Sequence, residues 1–361
     1  MSETLTLRSR FRDYSVRFVE DFTRPLTSYA QSSFFLVDQK ILKLYAKEIE
    51  NLLPQERTLT VESQESNKTL EFCQLLIECL IEKRIRKNDT LVAIGGGVLQ
   101  DLTAFIASVL YRGVRWSFFP TTLAAQADNC VGGKTSINFR GYKNLLGTFY
   151  PPEEIFIATR FLQTLPLDEI KSGIGEMLHF YLIDGSSCAV RLMNQYEALI
   201  EHPRDFAPYI RASLEIKKKT VEKDEFDENE RRIFNYGHTF GHAIESVSHF
   251  SIPHGQAVTM GMDLANYVSL SLGYLDEENF LQMRRTLSKN MPDFTLLPEG
   301  LDDYLRAISK DKKNLGENLG CILTHGLGRM FFTQIPMNDT FKEILSRYFG
   351  VTHDLLLRSQ R

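Results

Sequence analysis

The 361-residue chain has no run of 18 or more apolar residues, which excludes a membrane-spanning helix of ordinary length. Residues 1–12 are polar and lack the apolar stretch of a secretory signal, so a cytoplasmic location is expected. The cysteines Cys73, Cys79, Cys130, Cys188 and Cys321 are scattered, odd in number and without a Cys-x-x-Cys pair. That argues for reduced thiols rather than a disulfide framework. Nor is there an excess of positive charge: 42 Lys and Arg face 46 Asp and Glu, for a net charge of −4, which gives no case for a nucleic-acid binder. Internal repeats and low-complexity tracts are also missing. What remains is an ordinary globular composition, 43% hydrophobic and 24% charged, at a length that suits two domains.

The first half alternates strand and helix patterns. Apolar runs at 34–38, 89–94 and 114–119 read as strands, and the spacing predicts helices over 41–53, 68–83 and 101–110. This rhythm implies a mostly parallel, Rossmann-like sheet covered by helices. Residues 15–19 suggest an edge strand. From about Pro166 the pattern turns helical, with stretches at 168–182, 190–199, 206–223, 238–247, 257–272 and 278–287, then two short strands at 321–324 and 330–333. The expected division is an α/β domain over 1–163 and a mainly α-helical domain over 164–361.

Three familiar motifs are approached and missed. Gly95-Gly96-Gly97 follows a buried strand and precedes a helix, where small residues and helix N–H groups favour phosphate. Yet Gln100 stands where the dinucleotide fingerprint has its last glycine. Gly132-Gly133-Lys134-Thr135 resembles the end of a Walker A loop, but Asp128 holds the slot of its opening glycine. What survives is Lys134 on a glycine turn, followed by Lys143 and Asn144, a pattern suited to an oxyanion. His238 and His242 have zincin spacing, but Thr239 replaces the required glutamate. With Glu176, His179 and His254 nearby in sequence, these histidines still supply ligand types for a zinc-like divalent ion.

Taken in order, Gly95-Gly-Gly-Val, Asp101, Tyr111-Arg-Gly-Val, Pro120-Thr-Thr-Leu, Asp128, Val131-Gly-Gly-Lys-Thr, Lys143-Asn144, Gly175-Glu176, Asn235-x-Gly-His-Thr-Phe-Gly-His242, His254-Gly255 and Asp311-Lys-Lys313 resemble the 3-dehydroquinate synthase family and its wider sugar-phosphate cyclase relatives. The resemblance spans about residues 34–328. It implies a homodimer of two-domain subunits, with an NAD-binding α/β part and a helical, metal-binding part. It implies Glu176, His238 and His254 as ligands of zinc or cobalt. It implies an NAD site lined by Asp38, Glu65, Lys68, Gly96, Gly97, Asp101, Thr121, Thr122, Asp128, Lys143, Thr164 and Glu169. Lys134, Asn144, Lys217, Arg231, Asn235, His242 and Lys312 or Lys313 would hold substrate, with Arg112 reaching into the partner's site.

The chain departs from that pattern at three positions. His179 replaces a lysine that in the synthases touches substrate hydroxyls; it could orient a hydroxyl or add a metal ligand. Gln100 stands for the usual glycine and Gln256 for a glutamate. Arg231 and Lys217 are kept, and these cations imply an acidic phosphorylated sugar, 3-deoxy-heptulosonate 7-phosphate, as substrate. Alternatives are a paralogous cyclase acting on another heptulose phosphate, an NAD- and metal-dependent polyol dehydrogenase, and an inactive scaffold. No membrane or nucleic-acid partner is expected.

Overall fold

The computed structural model describes residues 4–296, 300–309 and 318–359, with side chains described as far as residue 350. Packing divides the chain into two units: Met1–Pro166 with Leu199–Asp227, and Leu167–Ala198 with Glu228–Arg361. The stretch 199–227, which the sequence reading places with the second domain, thus packs with the first.

Among the described residues the first unit has nine strands: β1 (Thr4–Leu7), β2 (Tyr14–Phe18), β3 (Ser33–Asp38), β4 (Thr58–Val61), β5 (Thr90–Gly95), β6 (Arg115–Pro120), β7 (Ile137–Phe139), β8 (Tyr142–Leu146) and β9 (Glu154–Ile157). Seven form one sheet in the order β1-β2-β9-β6-β5-β3-β4, while β7 and β8 make a separate hairpin. All pairings in the large sheet are parallel except β1 with β2. The interior strand β5 is buried along its whole length. A parallel strand covered on both faces must be a continuous apolar run, not an alternating one. Residues 14–18 do form a strand, but the edge is β1, whose buried and exposed residues alternate. Phe35, Val37, Val92, Ile94, Phe119 and Phe156 form the core beneath the sheet with Phe22 and Phe161.

The expected helix over 41–53 is broken at Tyr45 into Gln39–Leu44 and Ala46–Ile49. Tyr45 leaves helical geometry because its ring packs edge-on against Phe22 and Phe161 and its hydroxyl reaches the Arg160 carbonyl at 3.1 Å. The helix expected from Asp101 starts at Gly97, so the glycine turn is itself the helix entry.

In the second unit, the helix His254–Ser271 is buried on nearly every side. It packs against the helices Leu167–Asp184, His238–Val247 and Glu277–Leu287. Strands β10 (Asn318–Thr324) and β11 (Met330–Pro336) pair antiparallel, longer than the short strands expected. The first crossings are backbone to backbone. A Cβ built on Gly175 would lie 1.9 Å from the Gly255 carbonyl oxygen, and one on Gly255 would lie 1.8 Å from that of Ser172. Only glycine allows helices to meet this closely. Lys312 and Lys313 lie outside the described residues.

Candidate functional site

In open parallel sheets the ligand crevice lies beyond the carboxyl ends of the strands. Here β3, β5 and β6 end at Asp38, Gly95 and Pro120. Gly96 caps the helix Gly97–Val109 without a side-chain hydrogen bond, so its first-turn N–H groups remain available to an anion. A Cβ on Gly97 would sit 2.8 Å from Asn129 Nδ2, so the glycine lets the next loop close over the turn. Thr121 is buried, and Thr122 Oγ1 accepts from the Ala125 backbone at 3.2 Å. Asp38 turns inward on its own chain, accepting from the backbone of Lys40 at 2.7 Å and Ile41 at 3.4 Å as a helix cap.

Behind this turn, Lys68 is 5% exposed. Its Nζ donates to Asp101 Oδ2 at 3.0 Å and Asn144 Oδ1 at 2.7 Å, with Glu65 Oε1 at 3.6 Å. Burial pushes the Asp101 carboxyl up to about 6, against the downward pull of Lys68. Asn144 takes a left-handed φ of 54°, a region Asn tolerates. Asp128 stands on a π-turn, Ala125–Asn129, a distortion frequent at functional sites. Its carboxylate accepts from Lys217 Nζ at 2.6 Å and its carbonyl from the same nitrogen at 2.9 Å. Lys217 comes from the helix Ala207–Val221 and is 6% exposed. Gln100 Nε2 donates to the Asn129 carbonyl at 2.6 Å, so the residue that departs from the family pattern holds the π-turn. Lys134 forms a short ion pair with Asp227.

Lys143 is exposed on β8, and Thr164 Oγ1 lies 3.1 Å from the Tyr45 hydroxyl. Arg112 is exposed in a run of three positive φ angles: Tyr111 at 51°, Arg112 at 60° and Gly113 at 111°. Lys87 Nζ grips this run by donating to the carbonyls of Tyr111 at 2.5 Å and Gly113 at 2.9 Å.

In the second unit, Glu176 is 4% exposed on the helix Leu167–Asp184. Its Oε1 is 3.1 Å from His254 Nε2 and its Oε2 is 3.8 Å from His238 Nε2. One ligand atom from each residue lies within 4.8 Å of the other two. Zinc bonds of about 2.0–2.1 Å at tetrahedral angles put ligand atoms about 3.3 Å apart, close to the 3.1 Å between Glu176 Oε1 and His254 Nε2. One carboxylate and two imidazoles also suit zinc or cobalt with a position left open, so the residues fit a divalent ion. Loss of water around the ring nitrogens opposes charge on His254, although 42% of the side chain is exposed; hydrogen bonds to Glu176 and Glu245 outweigh that loss and raise its pKa to about 10. A ligating imidazole must be neutral, so metal uptake would release that proton.

His242 is exposed, its ring centroid 5.6 Å from those of both His238 and His254. His179 is 1% exposed, packed against Phe180, Phe234 and the His238 ring at 4.9 Å. It is not among the side chains that converge as metal ligands. Arg231, 5% exposed, and Asn235 lie on the 3-10 turn Glu230–Asn235, where Asn235 Nδ2 donates to the Arg232 carbonyl at 2.9 Å. Glu169 is exposed in the first turn of its helix.

Sequence reasoning missed Glu245, Asp227 and Asn129. A signal existed for Glu245, which follows His238 and His242 at i+7 and i+3 on one helix face. Nothing local marked Asp227 or Asn129.

A family model for the 3-dehydroquinate synthase N-terminal part matches residues 58–172, and one for the C-terminal part matches residues 173–314. A 3-dehydroquinate synthase of Clostridium tetani is 36% identical over 312 residues, covering 85% of this chain and 80% of the relative. One of Thermoanaerobacter pseudethanolicus is 33% identical over 352 residues, covering 94% and 98%. The fold is similar to a 2-deoxy-scyllo-inosose synthase solved with carbaglucose-6-phosphate, NAD+ and Co2+, at a TM-score of 0.82 and 25% identity over 95% of this chain and 99% of that one. With both halves matched and identities above 30% across most of the sequence, the chain belongs to the 3-dehydroquinate synthase family.

Proposed function

We propose that the protein converts 3-deoxy-heptulosonate 7-phosphate to 3-dehydroquinate, using NAD and a divalent metal and releasing phosphate. The observation that carries this is the convergence of Glu176, His238 and His254 in a chain of this family. When bound, the metal supplies Lewis acidity toward a substrate hydroxyl and NAD supplies a hydride acceptor restored within each turnover. Glu176, His238 and His254 hold the ion. The Gly96 and Gly97 turn, with Thr121 and Thr122, receives the dinucleotide phosphates, and Asp101 and Lys68 receive its polar groups. Glu65, Asp38, Asp128, Lys143, Thr164 and Glu169 complete that set.

Lys217, already paired with Asp128, and Arg231 are both more than nine-tenths buried, and by the family resemblance both are assigned to the substrate carboxylate. Lys134, Asn144 and His242 are assigned to substrate binding, with His242 relaying a proton near the phosphate. Lys312 or Lys313 adds a further cation. The protein acts in the cytoplasm as a homodimer in which Arg112 completes the partner's site. Incubation of the pure protein with NAD, Co2+ or Zn2+ and heptulosonate phosphate should release inorganic phosphate without net NADH. Net NADH from a simple alcohol would instead mark a dehydrogenase.

A second reading is a paralogous cyclase for a modified heptulose phosphate. It is favoured by His179, a buried imidazole packed on a metal-ligand ring where the synthases have a lysine. Phosphate release from a neutral heptulose phosphate, and none from the acid, would decide for it.

A further inference from the structure

The two imidazoles of the triad share one arrangement with one difference. Each turns Nε2 toward Glu176. On the far side, His238 Nδ1 faces the Tyr236 backbone carbonyl at 3.3 Å, whereas His254 Nδ1 faces the Glu245 carboxylate, Oε2, at 3.1 Å. Glu245 is 8% exposed and lies in the last turn of the helix His238–Val247. Its carbonyl accepts from Ser248 Oγ at 3.1 Å and from the Phe250 backbone at 2.8 Å, which fixes the chain reversal leading back to His254.

We infer that Glu245 is a positioning residue for the metal centre: its carboxylate accepts the Nδ1 proton of His254, selects that tautomer and aims the Nε2 lone pair at the ion. A carboxylate acceptor also makes the imidazole a better donor than a backbone carbonyl does. His254 needs this more than His238 does, because its side chain is 42% exposed against 16% and is less confined by packing. The role rests on the metal-binding reading given above. One competing role exists: Glu245, His242 and His254 also have ligand atoms within 4.8 Å of one another and could themselves hold an ion. The geometry favours positioning, since His254 then spends one nitrogen on each partner and the buried Glu176 keeps the ion.

The test is Zn2+ and Co2+ binding to full-length wild type, E245A and E245Q, by competition with a chromophoric chelator. Stoichiometry and the cobalt d–d spectrum are read on the same samples. Wild type should bind one ion per chain. E245A should bind one ion about 10–100-fold more weakly, with an altered cobalt spectrum. E245Q, whose amide oxygen still accepts the Nδ1 proton, should recover part of the affinity, and it serves alone if E245A does not fold. Unchanged affinity and spectrum in both variants would overturn the role of Glu245 while leaving the metal site intact. Two ions in wild type falling to one in E245A would make Glu245 a ligand and overturn it as well. Failure of wild type to take up metal would sink the functional reading itself, and this one with it.

Discussion

The two units place their polar groups in opposite ways. In the first, cations are already matched: Lys68 with Asp101 and Asn144, Lys217 with Asp128, Lys134 with Asp227. These side chains come from turns, a strand and helices, and a ligand must exchange with existing partners. In the second, a buried carboxylate and four imidazoles crowd together on helices. The helices that carry Glu176 and His254 touch through bare backbone. The first arrangement suits a ligand that comes and goes, and the second a resident cation. Substitutions should therefore act differently in the two units.

The largest effect is expected from G255A. Its methyl would fall 1.8 Å from a carbonyl oxygen, so stability should drop by about 3 kcal/mol or more and metal uptake should fail, as read by urea unfolding and bound zinc. K217M comes next. It leaves the Asp128 carboxylate without its cation, at a cost of about 2 kcal/mol because that carboxylate is only partly enclosed. The same urea series measures it. Q100G should cost about 1–2 kcal/mol by removing the bond to Asn129 and adding a helix glycine. K134A breaks a pair whose lysine is 47% exposed, so stability should change by less than about 1 kcal/mol, while KM for the phosphorylated substrate rises. If K134A destabilised as much as G255A, the contrast between the units would fail.

A pH measurement sharpens the same contrast. Asp101 has its carboxyl raised to about 6, so it gains a proton as pH falls through that value, well above an ordinary aspartate. If its ionised form accepts hydrogen bonds from the dinucleotide, NAD affinity should rise between pH 5 and 7, and the D101N profile should be flat. Titration of NAD into both proteins at fixed ionic strength checks this.

Much of this was legible in the sequence because strong local chemistry marked it. Long buried runs gave β3, β5 and β6, and the family resemblance singled out Glu176, His238 and His254, whose side chains converge. The four-residue strands β1, β4 and β9 were not legible, since their pairing depends on partners far away in the chain. The break at Tyr45 was hidden because an aromatic contact outweighed helix spacing. Asp38 was read as a ligand for NAD, and its capping of the next helix was not foreseen. The ion pair of Lys134 could not be found, because Asp227 lies 93 residues away.

The turn at Tyr111–Arg112–Gly113 has a consequence of its own. Two residues with side chains held in left-handed geometry cost roughly 1–3 kcal/mol each. Replacing both with glycine would ease that strain, and the grip of Lys87 on the flanking carbonyls would survive. A chain optimised for folding alone would have little reason to keep arginine there. Random mutagenesis scored only for thermal endurance should therefore drift toward glycine at 112, and such hardier proteins would reveal what the arginine is for.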